Sequence, residues 1–315
     1  MTAPARGFPD QEFEARTSIA QSMMAKAGIA ALLLTTEPEI RYYTGFLTRF
    51  WESPTRPWYV VVPATGAPIA VIPAIGKHLM AQSWVQDIRT WHAPDYDDDG
   101  ISLLTDTLAG IVPPDGIIGI ADHIESHVRM PLATLRALEK SLSPRQIKGD
   151  HKITQGLRLI KSDAEIAKIQ QAASIGDRAF ARVREIARVG TPLSDVFRRF
   201  QMLCLEEGAD WGPYLAGGAG QGGYGDVISP ATEEPLCAGD VLMLDTGLVW
   251  DGYFCDFDRN YCLGAPSDAV QSAHERLIEA TQVGSDAAKP GARMSDLFAI
   301  MNKVVNPDNT TADAG

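Results

Sequence analysis

Two eight-residue stretches, GTPLSDVF at 190–197 and GARMSDLF at 291–298, share their Gly, Ser, Asp and Phe at an offset of 101 residues. Ser-Asp before an apolar run is ordinary helix-opening grammar, because the polar side chains satisfy the first free backbone N–H groups. One copy says little. Two copies, each following a long helical pattern, point to a duplicated helix–helix–sheet unit, in which neighbouring units bury a continuous core. In the first copy Asp195 leads into a helix, then a Gly-rich loop, and fifty residues on the chain reaches Asp245 in its most strand-like segment. In the second copy only nineteen residues follow Asp296, ending in NPDNTTADAG where strands are due. The expectation is a second repeat that lacks its sheet.

The strand-like segment is VLMLDTGLVWDGYFCDFDRNY, 241–261. Asp251-Gly252 is strong turn chemistry, so the segment reads as an antiparallel hairpin with Asp251 facing solvent. Asp245 and Asp256 stand six before and five after Asp251, and are expected to face each other across the ladder within a buried layer. Burying unpaired carboxylates is costly and like charges repel, so such a pair calls for a proton or a divalent cation. A carboxylate site holding two metals about 3.5–4 Å apart is the fuller version. The plainer reading is two polar residues on the wet face of a half-exposed sheet.

Upstream, the first 150 residues alternate helix and strand signals, as in an α/β layer domain. Residues 10–27 form a helical pattern closed by Gly28. IAALLLT and DGIIGIA read as strands, WYVVVPATGAPIAVIP as a hairpin turning at Thr65-Gly66, and MPLATLRALEKSL as a helix. SLSPRQIKGD (141–150) reads as a break, giving domains 1–150 and 151–315. Ser162 with Glu165 three residues later forms a capping box before a long helix.

Composition excludes several function classes. The net charge is −12, from 28 basic and 40 acidic residues, with no basic stripe for nucleic acid. Apolar runs are too short to span a bilayer. The N-terminus has no apolar signal core. Cys204, Cys237, Cys255 and Cys262 lack metal or disulfide spacing, which fits a cytoplasmic protein. Gly218, Gly220 and Gly223 spell a dinucleotide fingerprint, but without a clear strand before it or a helix after it; close backbone approach is preferred. DYDDDG (95–100) lacks the spacing of a calcium loop and reads as a solvated turn.

Taken together, VLMLDTGLVWDGYFCDFDRN, the lead-in AGDVLMLDTG, the helix LRLIKSDAEIAKIQQA with Arg158, Lys161, Ser162 and Glu165, and AGIAALLLTTEPEIRYYTGF resemble the creatinase, prolidase and aminopeptidase P family of pita-bread metallohydrolases. The resemblance covers nearly the whole chain. It implies a creatinase N-terminal-like α/β domain followed by a pseudo-two-fold α+β pita-bread domain, the latter incomplete. It implies Xaa-Pro peptidase chemistry, in which a metal-bridged hydroxide attacks a C–N bond. Two divalent ions, Mn²⁺, Co²⁺ or Zn²⁺, are implied in the complete protein, with weak or no metal in this chain. Asp245 becomes a ligand of one metal and Asp256 a bridging ligand. The family's remaining ligands, a His between glycines and two Glu, belong to the second repeat; none of the six histidines has that setting. This chain is therefore expected to be inactive as it stands.

The family's Asp-x-Thr-Arg reads Asp256-Phe257-Asp258-Arg259. Asp258 then either supports the ligands from behind or pairs with Arg259, and the pair is preferred. The family's substrate-contacting His is absent from YLAGGAGQGGYGDVISP, where Gln221 or Tyr224 are the available substitutes. The loop TGFLTRFWESPTRPW carries Phe50, Trp51 and Arg56, which read as core packing or, by resemblance to creatinase-like homodimers, as substrate contacts reaching a partner's site. The expected partner is a small peptide or small-molecule substrate. The alternatives are a non-peptidase relative, such as an amidinohydrolase or a lyase of small zwitterions, and a non-catalytic binding protein on the same fold.

Overall fold

The computed structural model describes residues 3–53 and 56–307. The chain forms two compact units, Met1–Ala167 and Lys168–Gly315. In the first, the order is α1 (Asp10–Ala27), β1 (Ile29–Leu34), α2 (Glu37–Thr44), β2 (Tyr59–Pro63), β3 (Ile69–Pro73), α3 (Lys77–Met80), β4 (Asp87–Trp91), α4 (Ile101–Ile111), β5 (Ile117–Ile120), α5 (Leu132–Leu142), β6 (Gln146–Gly149) and α6 (Ile153–Leu159). The six strands form one mixed sheet in the order β4-β3-β2-β1-β5-β6. Strands β1, β5 and β6 run parallel, while β1-β2 and β2-β3 are antiparallel. Helices α1, α2 and α6 cover one face with Met24, Ile40, Tyr43 and Ile153, and α4 and α5 cover the other with Leu104, Leu108 and Leu138. Strands β1, β2 and β3 are buried almost throughout because both faces are covered. Gly28 ends α1 at φ 70°, the left-handed conformation that closes a helix at no steric cost.

The division between units falls later than the expected 150/151. The stretch 141–150 is turn-rich but holds β6, which adds to the sheet, and α6 follows it into the same core through Ile153 and Leu157. The division instead lies in the early part of α7 (Asp163–Ala181). Its capping box forms as read: Ser162 N–H donates to Glu165 Oε2 at 2.9 Å and Glu165 N–H to Ser162 Oγ at 3.3 Å.

In the second unit α7 is followed by α8 (Val183–Ile186), α9 (Leu193–Glu206), β7 (Trp211–Gln221), β8 (Asp240–Trp250), β9 (Tyr253–Cys262), α10 (Asp268–Ala287) and α11 (Met294–Val305). The three strands form an antiparallel sheet with β8 central. Its core joins Ile175, Phe180, Val196, Phe200, Leu242, Leu244 and Leu248. Each such fully buried side chain contributes about 1.5–3 kcal/mol. The duplicated stretches open α9 and α11 at matching positions, and Gly190 and Gly291 share φ 90°. The copies differ in what covers them. Phe197 is 8% exposed against the sheet, while its counterpart Phe298 is 71% exposed. No strand follows β9 among the described residues. Residues 308–315, where strands of the second repeat are expected to begin, lie outside the described residues. No helix among the described residues is long and apolar enough to cross a membrane.

Candidate metal centre

The turn that sets the site is two residues long. Asp251 and Gly252 both take positive φ, 47° and 68°, and Trp250 pairs with Tyr253. That is the hairpin geometry which matches strand twist. It fixes the register: Asp245 opposes Asp258, and Asp256 opposes Gly247. Asp245 and Asp256 share a face but are diagonal neighbours, not the directly opposed pair expected. The expected pairing centred the turn one residue too early. The face is also wetter than expected. Asp245 is half-buried, and Asp256 and Asp258 are exposed, while the buried residues of β8 on that face are Val241, Met243, Gly247 and Val249.

Tyr214, which the sequence reading missed, organises the carboxylates. It lies on β7 opposite Gly247, so Tyr214, Gly247 and Asp256 form one row across three strands. Gly247 carries no side chain to block the row. The Tyr214 hydroxyl donates to Asp256 Oδ1 at 2.6 Å and reaches Asp245 Oδ1 at 3.2 Å. Desolvation, and then the hydrogen bond to Asp256, hold the Tyr214 hydroxyl well above its ordinary range, so it stays a neutral donor. Burial raises the Asp245 carboxyl, the Tyr214 hydrogen bond opposes this, and the charges of Asp256 and Asp258 push it up again. The signal for Tyr214 was not local. Its pairing depends on a long β7–β8 connection and an irregularity between Trp211 and Tyr214.

Asp251 does not face solvent. It is 5% exposed, and its Oδ2 accepts from Lys168 Nζ at 2.5 Å, with Lys168 itself buried on α7. The Asp251 N–H donates to Asp210 Oδ2 at 2.6 Å. A left-handed turn residue thus doubles as the anchor of the hairpin to α7. The preferred Asp258–Arg259 pair does not form. Neighbours on a strand point to opposite faces, and Arg259 stacks on Phe257 with Asp177 3.8 Å away. Its contact with Asp258 is to the backbone carbonyl.

Gln221 is occupied structurally: its amide donates to Ala238 O and Asp240 Oδ1, pinning the Gly-Asp lead-in. Tyr224 donates to Asn260 Oδ1 at 2.9 Å. Gly218 and Gly220 lie in β7, where side chains would strike the carbonyls of Asp226 and Gly223, so close approach of the following loop explains them. In the first unit, Phe50 is exposed with the Arg56 guanidinium 5.6 Å above its ring, whereas Trp51 packs on Trp58 beneath Arg129. The acidic loop serves α4, with Asp98 accepting from Ser102.

The residues present fit part of a metal site. Two hard carboxylate oxygens converge on one hydroxyl, a position a divalent cation would share. Among the described residues no group of three or more His, Cys, Asp and Glu is gathered to hold a metal ion.

An α/β unit followed by a unit of paired helices backing an antiparallel, carboxylate-bearing sheet defines the two-domain plan of the pita-bread metallohydrolases. Residues 16–160 match the creatinase/prolidase N-terminal domain and residues 167–313 match metallopeptidase family M24. The chain belongs to that family, whose members use divalent metal ions. The probable dipeptidase PepE of Mycobacterium tuberculosis is 25% identical over 301 residues, covering 95% of this chain and 77% of that protein. Creatinase of a Bacillus species is 25% identical over 326 residues, covering 97% and 74%. Among solved structures, dipeptidase PepE from Mycobacterium ulcerans superposes with a TM-score of 0.77 at 24% identity, covering 96% of this chain and 78% of that one. The prolidase from Pyrococcus horikoshii gives 0.78 at 20% identity, covering 94% and 78%.

Proposed function

We propose that this chain carries the first-repeat half of the metal centre of an Xaa-Pro-type dipeptidase, with Asp245 and Asp256 as ligands to divalent cations. The observation that carries the reading is the Tyr214 hydroxyl held between the two carboxylates. The full centre takes two ions, of Mn²⁺, Co²⁺ or Zn²⁺. Bound metal supplies Lewis-acid activation of water and of the scissile carbonyl. The chain's own residues hold and orient. Asp245 and Asp256 would hold the cation, while Tyr214 keeps a proton against Asp256 and the Lys168–Asp251 pair fixes the hairpin. Asp258, opposite Asp245 on the same face, adds negative charge beside the ligands, and Arg259 braces the strand through Phe257. Gln221 and Tyr224 hold the wall of the loop beside the sheet. Phe50, exposed in the first unit, and the half-buried Arg56 over its ring are the residues offered to a substrate in a homodimer, with Trp51 as their packed base. The free cysteines support a reducing cytoplasm.

A second reading, a creatinase-like amidinohydrolase or a binding protein, draws on the absence of a third gathered ligand among the described residues. A carboxylate pair leaves most coordination positions to water, so binding is weak and this chain turns over no Xaa-Pro dipeptide. The test is calorimetric titration with Mn²⁺, Co²⁺ and Zn²⁺ beside an Xaa-Pro dipeptide assay. Weak binding lost in both Asp245→Asn and Asp256→Asn supports the reading. Metal binding indifferent to both substitutions refutes the assignment of ligands. Tight binding of two ions refutes the partial-site account.

A further inference from the structure

The first unit has a topological switch point that the metal centre does not use. From β1 the chain turns to one side of the sheet, through β2, β3 and β4; from β5 it turns to the other side, into β6. β1, β5 and β6 are parallel, so the segments leaving their carboxyl ends diverge and open a crevice there. In α/β sheets that is where ligands bind. A cavity of about 360 Å³ lies at this place, lined by Thr36 after β1, His123, Glu125 and His127 after β5, Arg158 of α6, and Lys161 just after α6. Its size falls at the lower end of the range for small-molecule sites.

The charges lining it are of both signs and differ in depth. Glu39 is 8% exposed and lines the cavity, with Thr36 as hydrogen-bond partner through its hydroxyl at 2.7 Å and its backbone N–H. A carboxylate has acceptor capacity for more than these two bonds. Burial raises the Glu39 carboxyl above its ordinary range, against which Thr36 and then Arg158 pull. Arg158 and Lys161 are exposed where the cavity opens, and so is Glu125, which leaves two basic side chains and one carboxylate at the rim. A ligand carrying only negative charge meets the deep carboxylate of Glu39, and one carrying only positive charge meets Arg158 and Lys161, which outnumber Glu125 at the rim. A ligand with an ammonium and a carboxylate a few bonds apart satisfies both.

We infer that this crevice binds a small zwitterion of the amino-acid or dipeptide type, its ammonium toward Glu39 and its carboxylate toward Arg158 and Lys161. The site is independent of the Asp245–Asp256 pair and stands whatever that pair binds. The test is calorimetry or ligand-observed NMR with glycine, L-proline and glycylglycine, beside acetate, ethylamine and inorganic phosphate. Saturable binding of a zwitterion, absent for the singly charged probes, is expected. Arg158→Ala and Lys161→Ala, both at exposed positions, should each weaken it by about tenfold, the scale of one charge-assisted hydrogen bond. Failure of every zwitterion to bind overturns the inference, as does tighter binding of phosphate. Loss on Asp245→Asn with Arg158→Ala unaffected would place the ligand at the carboxylate pair and also overturn it.

Discussion

Replacing Lys168 by Met tests the anchor of the hairpin. Lys168 is 1% exposed, and its ammonium sits 2.5 Å from Asp251 Oδ2 and 5.5 Å from the Trp250 ring centroid. Met roughly preserves the volume but removes the charge. Asp251, 5% exposed, then keeps a buried carboxylate without the ammonium that faces it. Breaking a buried pair from one side costs about 3–5 kcal/mol. With a urea slope of about 2 kcal/mol/M, the second unit's unfolding midpoint should fall by roughly 2 M. The double variant Lys168→Met/Asp251→Asn removes both charges and should recover most of that loss, because an apolar or neutral replacement of a whole buried pair is close to neutral. The assay is urea unfolding followed by tryptophan fluorescence, with Trp211 and Trp250 reporting from the second unit. A single-variant shift under about 0.5 M, or a double variant no more stable than the single, would refute the claim that the pair holds the turn.

Two further outcomes follow from the same sheet. Asp245 binds its proton more tightly folded than unfolded, so its stabilising contribution is present below the ordinary carboxylate range and is lost as pH rises through its raised folded value. Asp245→Asn should therefore raise thermal stability at neutral pH and flatten the pH dependence above the carboxylate range; an unchanged profile in thermal melts would contradict the cause assigned. Gly217 takes φ 149°, and a methyl there would overlap the Met243 carbonyl and press on Phe197, so Gly217→Ala should cost about 3 kcal/mol in chemical denaturation. Gly212→Ala, where the nearest atom is 3.7 Å away, is the control that should change little.

Local signals in the sequence carried most of the fold. Gly28, the Ser162–Glu165 box, the Thr65-Gly66 turn and the Asp251-Gly252 turn act over a few residues, and each lies where its chemistry is needed. The domain boundary was less legible because β6 earns its place by pairing with β5, a partner nearly thirty residues away. The carboxylates were legible as residues but not as a register, since a one-residue error in the turn centre changes every opposed pair. Alternation alone ruled out an Asp258–Arg259 ion pair, and it was in the sequence to be read. Two features depended on long-range placement that no local pattern encodes: Tyr214 between the carboxylates, and Lys168 against Asp251 across 83 residues.

The contrast between α9 and α11 has a dynamic consequence. α9 fixes Leu193, Val196, Phe197, Phe200 and Leu203 in the core, but α11 buries no residue and meets α10 where Met301 lies against Gly284. Opening α11 therefore exposes little new apolar surface, and its amides should exchange with solvent through local opening well below the free energy that unfolds the sheet. A protease would find its first cut there, in a helix pair that can melt while the hairpin and its carboxylates stay folded.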